Sequence, residues 1–548
     1  MTEPVACSLQ FPQVAIPSSL FYPIVIIMGN GEILYPVLFT AGSILLLHIW
    51  RRSSGGVLAR PPSPARLPFI GHLLSVPPGS EHVAYMKLGR QLKSDIVFLD
   101  ILGLNIVVLN SVRAATDLLE KRSAKFSDRT VPRALANPDL FDWPNAVSML
   151  PYNDIWRFHR RVLNGVLNVK AVTRFHGQQE LQARLLLQRL LDLTSNPRPF
   201  EGMKKEFFYT MAVSMFEMAY GYRLQGKDDR ILVESETALH NGFCAAMFAN
   251  FYVNIIPALM YVPEWFPGAG WKRKIRSWKA QKVQAMSAPY EWVKAKVADG
   301  TAQPSVLSAI LQDDNLCSTL SPDIRDTTLE QLGMIFYAGN QIGGTDTSAT
   351  ALLNFIAAMT LYPEVQEKAQ LELDTVLGSG VLPTISDRDR LPYINNLVLE
   401  LLRWRPVLPI AIPHVCYEDD VYRGYDFVKG DIIIGSVWAM SRDESIYSNP
   451  DEFNPDRFLD PSVPPAPGFG WGRRKCPGLH YGESSVFIVL SSILAMYTIS
   501  KRKDSNRVPI QPKIKDAPNS LTLELEHFDF ELQPRSDKHV RLVLEAVV

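Results

Sequence analysis

Phe469-Gly-Trp-Gly-Arg-Arg-Lys-Cys476-Pro-Gly478 is the stretch on which the reading of this chain turns. Cys476 stands behind three consecutive cations, Arg473, Arg474 and Lys475, and Gly478 can open a helix just after it. Adjacent positive charge and a helix N-terminus both lower a thiol pKa, so the stretch predicts a thiolate. A thiolate serves as nucleophile, redox partner or metal ligand. His480 lies one helical turn on and could act as a base, but no oxyanion site or orienting third group accompanies it. Gly468, Gly470 and Gly472 lack the spacing and the βαβ context of a phosphate loop. On this stretch alone, a buried cysteine in a basic turn and a metal-bound thiolate stand level.

Working outward, Gly343-Gly-Thr-Asp346-Thr347-Ser348 interrupts an apolar helical run from Leu329 to Leu361. Two glycines inside a helix cost about 1 kcal/mol each against alanine. They also let a flat ligand approach the backbone, and Asp346 with Thr347 sets an acid beside a hydroxyl, a pair that can relay protons. Taken alone, a helix-packing glycine pair is the plainer account. Glu400-Leu-Leu-Arg403 lies on a helix expected from Pro392, whose apolar face is Ile394, Leu397, Val398, Leu401 and Leu402. Glu400 and Arg403 fall off that face, so local reasoning predicts an exposed ion pair worth about 0.3 kcal/mol. Arg457 sits between Phe453 and Phe458 and reads as a surface turn. Trp156-Arg157-Phe-His159-Arg160-Arg161 clusters cations at a helix start, which suits an anionic ligand group, an acidic partner or a solvated face.

The chain has 548 residues, 47% of them hydrophobic, and its 56 Lys and Arg balance 56 Asp and Glu. A large core is possible, and no bulk charge favours nucleic acid. Cys7, Cys244, Cys317, Cys416 and Cys476 are scattered, which excludes a disulfide framework or zinc spacing and suits a reducing compartment. Ile33 to Trp50 is apolar except for Tyr35, Thr40, Ser43 and His48, and as a helix would span roughly 27 Å. No Lys or Arg precedes Arg51, and Arg52, Arg60 and Arg66 follow it, which places the N-terminus across the membrane. The expected organisation is a luminal segment 1–32, a transmembrane anchor 33–50, an Arg/Pro-rich linker 51–68 and a catalytic domain 69–548. Leu20 to Met28 extends the anchor region or forms a second interfacial segment. Within the catalytic domain, Ile96 to Leu109 predicts a hairpin turning at Gly103. Helices dominate from Ala114 to Leu402, with Arg174 to Leu193 among the longest. Strand character returns from Val421 to Val437 with a turn at Gly430-Asp431. A buried helix runs from Gly478 to Met496, and Leu521 to Leu544 reads as short strands.

Together these stretches resemble the cytochrome P-450 family of heme-thiolate monooxygenases. The cysteine motif of that family is met at Phe469, Gly472, Arg474, Cys476 and Gly478. Its oxygen-activating helix motif is met at Gly343, Gly344, Asp346, Thr347 and Ser348. Its Glu-x-x-Arg pair falls at Glu400 and Arg403, its later arginine at Arg457, and its Trp-x-x-x-Arg helix at Trp156 and Arg160. The resemblance spans roughly Pro61 to Leu532 and is closest to fungal microsomal members of secondary metabolism. It implies a mainly α fold with small β-sheets behind the membrane helix. It implies heme b with Cys476 as axial metal ligand, and catalytic roles for Thr347 and Asp346 in passing protons to oxygen. Trp156, Arg160, His414, Phe469, Arg474 and Gly478 become the cofactor-binding residues. Glu400, Arg403 and Arg457 become a buried network that fixes the cysteine loop, which reverses the exposed-pair expectation. The implied reaction inserts one oxygen atom of O2 into a lipophilic small molecule. NADPH enters only through a separate cytochrome P-450 reductase, and the enzyme sits in the endoplasmic reticulum membrane with a cytoplasmic catalytic domain. Arg157, Arg161, Arg473 and Lys475 could dock that acidic partner. The substrate pocket is expected along Asn145–Leu150, Phe243–Tyr252, Phe336–Gln341, Val407–Ile412 and Ser520–Leu523, with Phe248 to Met260 apolar enough to dip into the bilayer. Competing accounts are a reductase-independent heme-thiolate isomerase or dehydratase, a non-enzymatic membrane heme protein, and a colourless cysteine hydrolase.

Overall fold

Alternating apolar residues pair Ile96–Ile101 (β1) with Leu104–Leu109 (β2) through a turn at Leu102 and Gly103, both at positive φ (52° and 88°). That is the expected hairpin, and the two left-handed residues match the twist of its strands. The computed structural model describes residues 59–77, 80–144, 147–247, 250–313, 322–338, 345–517 and 522–546. The luminal segment, the anchor at 33–50, the stretch 20–28, the linker up to 58 and the Gly343-Gly344 pair lie outside the described residues.

The chain forms two compact units, one of Met1–Pro61 with Asp419–Val428, the other of Pro62–Glu418 with Lys429–Val548. In the larger unit β2 runs parallel to Ile432–Gly435, and that strand pairs antiparallel with His414–Val415 (β3). The smaller unit holds a hairpin, Asp420–Tyr422 (β4) against Tyr425–Phe427 (β5), with Arg423 and Gly424 turning at φ 51° and 80°. The Ala59 N–H donates to the Asp426 carboxylate at 2.7 Å. The turn at Arg423-Gly424 was not foreseen within 421–437; the one at Gly430 (φ 95°) was. Ile432–Gly435 (β6) completes a four-stranded sheet ordered β1-β2-β6-β3. Tyr497–Ser500 (β7) pairs with Glu531–Pro534 (β8).

Helices carry the rest. Those used below are Glu81–Leu92 (α1), Asp154–Leu167 (α2), His176–Leu191 (α3), Phe200–Tyr220 (α4), Arg230–Ala246 (α5), Gly270–Ala298 (α6), Pro322–Ala338 (α7), Asp346–Leu361 (α8), Pro392–Trp404 (α9), Leu479–Met496 (α10) and Asp537–Glu545 (α11). One core cluster joins α3, α4, α8, α9 and α10 through residues such as Leu186, Phe207, Phe355, Leu397 and Leu490. A second joins α2, α5, α6 and α7 through Leu163, Leu239, Met286 and Leu332. Among the described residues α10 alone is long and apolar enough to cross a membrane, but 78% of it is buried, so it is a core helix. Two of its buried serines bond one turn back, Ser484 donating to the His480 carbonyl and Ser491 to the Phe487 carbonyl, both at 2.6 Å.

Two expectations are corrected. Residues 521–544 were read as short strands, but only β8 forms there, and α11 follows it. Its buried residues His539 and Val543 stand four apart, a helical period that a strand reading overlooked. The helix expected from Arg174 begins at His176, after a 3-10 turn over Ala171–Phe175.

Candidate active site

The cysteine loop is shaped by two close approaches. Gly472 sits at φ +52°, and a Cβ there would lie 2.4 Å from the Leu119 carbonyl oxygen. Trp471, which is buried, covers Gly435, where a Cβ would meet its ring at 2.6 Å. The Cys476 N–H donates to the Phe469 carbonyl at 2.9 Å and closes the loop. Gly478 then caps α10, as the sequence predicts.

Cys476 borders a cavity whose wall also includes Phe469, Trp156, Arg160, Arg474, His414, Thr347 and Ser348. Residues far apart in sequence are thus gathered on one space. Gly478 and Asp346 are not among its wall residues. Gly478 acts on the sulfur instead, since its N–H bonds the thiol and favours the anion.

The electrostatics differ from the local expectation. Burial pushes the Cys476 thiol up from its ordinary value; the Gly478 N–H and Arg160 oppose this. Arg473 and Arg474 are bonded elsewhere. Arg473 donates to the Tyr152 hydroxyl at 2.9 Å, and Arg474 donates to the Ser127 and Leu150 carbonyls at 2.7 and 2.8 Å. Arg160, on α2, is therefore the cation that acts on the sulfur, and sequence adjacency pointed to the wrong ones.

Trp156 is buried, and the Arg474 guanidinium stacks over its ring at 4.3 Å. One nitrogen of Arg474, Nη1, is buried with no partner, and burial draws the pKa of this side chain down to about 10. Arg129, not singled out from the sequence, lines the same cavity and is buried. Its Nη1 donates to the Ile412 and Pro413 carbonyls, while its Nε has no partner. The His414 Nδ1–H donates to the Phe126 carbonyl at 2.6 Å. Burial holds His414 well below its ordinary pKa, and Arg129 adds to the effect, so the ring is neutral. Its remaining nitrogen is an acceptor as it stands, and facing an anion requires that it take up a proton.

Asp346 opens α8 beside Thr347. Burial pushes its carboxyl up to about 7, Glu524 reinforcing and Lys204 opposing. Thr347, Ser348 and Ala351 present one side of α8 to the cavity.

Glu400 and Arg403 are fully buried. Arg403 grips the carboxylate in a fork at 2.7 and 2.8 Å, and the Arg457 Nε reaches both oxygens at 3.1 and 3.0 Å. The exposed pair of local reasoning is overturned and the burial that the resemblance implied is present, because a segment with no helical period covers this side of α9. Arg403 also donates to the Ser441, Pro450 and Glu452 carbonyls, and Arg457 to that of Ser448. The network thus pins 441–457, and Tyr447, under the Arg403 guanidinium, carries the restraint on by donating to the Pro464 carbonyl at 3.0 Å.

Of the stretches expected to line a substrate space, 145–150 contributes Val147 and Ser148, and 407–412 contributes Val407, Leu408, Ala411 and Ile412. Among the described residues, 243–252, 336–338 and 522–523 contribute none.

The family model described as Cytochrome P450 (hereafter P-450) matches residues 61–525. The chain belongs to the cytochrome P-450 family. A cytochrome P-450 monooxygenase of Armillaria gallica is 33% identical over 509 residues, 91% of this chain and 97% of that protein. Cytochrome P-450 monooxygenase 98 of Postia placenta is 36% identical over 467 residues, covering 84% and 87%. The tryptamine 4-monooxygenase of Psilocybe cyanescens is 33% identical over 507 residues, covering 88% and 94%. Membership makes the chain a heme-thiolate monooxygenase, with heme held through a cysteine sulfur and a redox partner supplying electrons. The cytochrome P-450 cavity described here fits that group. Arg129, Arg160 and Arg474 match the three negative charges of a thiolate and two propionates, while the one carboxylate in the wall among the described residues, Glu483, faces Arg388 at 3.5 Å. The orphaned Arg474 nitrogen awaits an acceptor. Gly482 stands in the wall where a Cβ would meet nothing within 4 Å, leaving room for a flat ring system.

Proposed function

We propose that this enzyme hydroxylates or epoxidises a lipophilic small molecule in a fungal secondary-metabolite pathway, of terpenoid, polyketide or alkaloid type. The observation that carries the proposal is the shared cavity that brings Cys476 and Thr347 together among apolar walls. Bound heme supplies activation of O2 and transfer of one oxygen atom. Cys476 would hold the heme iron through its sulfur, which the Gly478 N–H and Arg160 would favour as the anion. Arg129, Arg160, Arg474 and Trp156 hold the propionates, with His414 beside them. Asp346, with a carboxyl poised near neutrality, exchanges protons with solvent, and the Thr347 hydroxyl holds the proton at the cavity wall. Ala351, Val407, Leu408, Ala411 and Ile412 offer apolar surface, which supports a lipophilic substrate. Kinship with a tryptamine 4-monooxygenase keeps aromatic alkaloids among the candidates.

The proposal continues to partners and place. Electrons come from NADPH through a membrane-bound reductase, docked on the exposed cations Arg157, Arg161, Arg473 and Lys475. Residues 33–50 anchor the enzyme in the endoplasmic reticulum membrane, 51–68 link it, and 69–548 form the catalytic domain. The test is expression with a fungal reductase, feeding of pathway intermediates under 18O2 and mass analysis of products. One labelled oxygen in a product, dependent on reductase, is expected. Turnover without reductase would turn the assignment toward an isomerase or dehydratase.

A further inference from the structure

The cavity wall takes Pro406, Val407, Leu408, Ala411 and Ile412 from a segment with neither helix nor strand, 406–413. It takes Thr347, Ser348 and Ala351 from α8. No repeating ladder of backbone bonds fixes the distance between the two, so single bonds must. Along the segment, the Leu523 N–H donates to the Val407 carbonyl and the Trp438 N–H to the Pro409 carbonyl, both at 2.8 Å. The Ala411 N–H donates to the Gly435 carbonyl at 2.9 Å. None of these three bonds reaches α8.

Arg405 does. Pro406 ends α9, and Arg405 before it is extended, at φ −133° and ψ 79°. Its Nε donates to the Asn354 Oδ1 at 3.1 Å, and its Nη2 pairs with the Asp516 carboxylate. Asn354 is fully buried on α8, and Arg405 is 8% exposed. Thr347, Ala351 and Asn354 stand at i, i+4 and i+7, so they share a helix face, and the first two border the cavity. Asp516 in turn bridges Leu525, and the Ala517 N–H donates to the Glu524 carbonyl at 2.9 Å, which ties in the strip that bonds Val407. The pair is poorly chosen for stability alone. The Asn354 Nδ2 is buried with no partner, and an apolar residue there would leave no orphaned group.

We infer that Arg405 is a positioning residue for the substrate: through Asn354 it sets the width of the cavity between α8 and 406–412. Arg405 itself is not in the wall and acts through Pro406, Val407 and Ala351, which are. A wall fixed before binding spares a ligand that spans it the cost of ordering that wall. A ligand too small to span it gains nothing from the tie. The inference rests on reading this cavity as the heme and substrate space.

The test uses the full-length, heme-loaded enzyme and two probes read from the Soret shift, imidazole and the much larger econazole. In R405M the econazole Kd should rise about tenfold while the imidazole Kd moves less than about twofold. The Leu523 amide, bonded to Val407, should exchange about tenfold faster with the amides of α10 unchanged, whereas a general loss of stability would speed both. The Asp516 side chain is 30% exposed, so D516A keeps the test available if R405M does not fold, and it should move both readings the same way. N354A should repeat the econazole loss, and R405M/N354A should lose no more than R405M, since the two side chains act as one tie. An unchanged econazole Kd, a rise shared equally by imidazole, or losses that add in the double variant would overturn the inference. A reduced carbon monoxide spectrum without thiolate character in the parent would sink the heme reading instead, and amide exchange would still judge the tie.

Discussion

At position 476 burial pushes the thiol up from its ordinary value, and the proposed role of the sulfur is to hold the heme iron. Cys476→His should keep the pigment and move the Soret band of the reduced carbon monoxide complex to the imidazole-ligated position; an unmoved band removes Cys476 as ligand. Thr347→Ala should cut product per NADPH by about tenfold with peroxide released instead, since the hydroxyl at the wall is gone. Intact coupling would show the hydroxyl to be idle. Asp346 carries a pH dependence of definite sign. Its folded pKa is raised to about 7, so folding takes up a proton in the window between the ordinary carboxyl value and that point. The group therefore subtracts stability as pH rises through the window, and the loss is complete above it. Asp346→Asn should raise the melting temperature at about pH 8 more than at about pH 5, and equal gains at both would refute the shift. That Cys476, Thr347 and Trp156 belong together on one cavity was legible because each stands in a spaced motif. Arg129 was not, because Phe126-Ser-Asp-Arg129 has no feature to separate it from a surface turn until Ile412 and Pro413 fold over it.

The elements divide between those whose period speaks and those whose partners decide. The apolar periods of α9 and α10 and the β1–β2 alternation were sufficient to draw them. The Glu400 side of α9 was not, since a polar pair looks exposed until 441–457 lies on it. Removing one partner from a buried ion pair leaves an uncompensated charge and costs about 3–5 kcal/mol. Glu400→Ala leaves the guanidiniums of Arg403 and Arg457 facing each other. It should lower stability by about that amount in urea titration and lose heme on mild heating. A variant as stable as the parent would mean that 441–457 is held by its carbonyl bonds alone. The α11 helix was missed for the opposite reason: its buried stripe is too short to outweigh neighbouring strand formers.

Over the whole molecule, the anchor is the sequence's own proposal. Deleting Met1 to Arg52 should leave a protein that high salt washes from membranes, with its heme and carbon monoxide spectrum intact, whereas the full chain resists the wash. Retention of the shortened chain under those conditions would mean that another surface inserts. The sequence alone determined the family, the positions of its motifs and the main helices, because spacing along a chain is enough to recognise a motif. Only the tertiary structure decided which charge faces which. It set Arg160 against the sulfur and bonded Arg473 and Arg474 to Tyr152, Ser127 and Leu150 instead. Electrostatic neighbours are fixed by distance through space, and distance through space is what packing of remote segments creates.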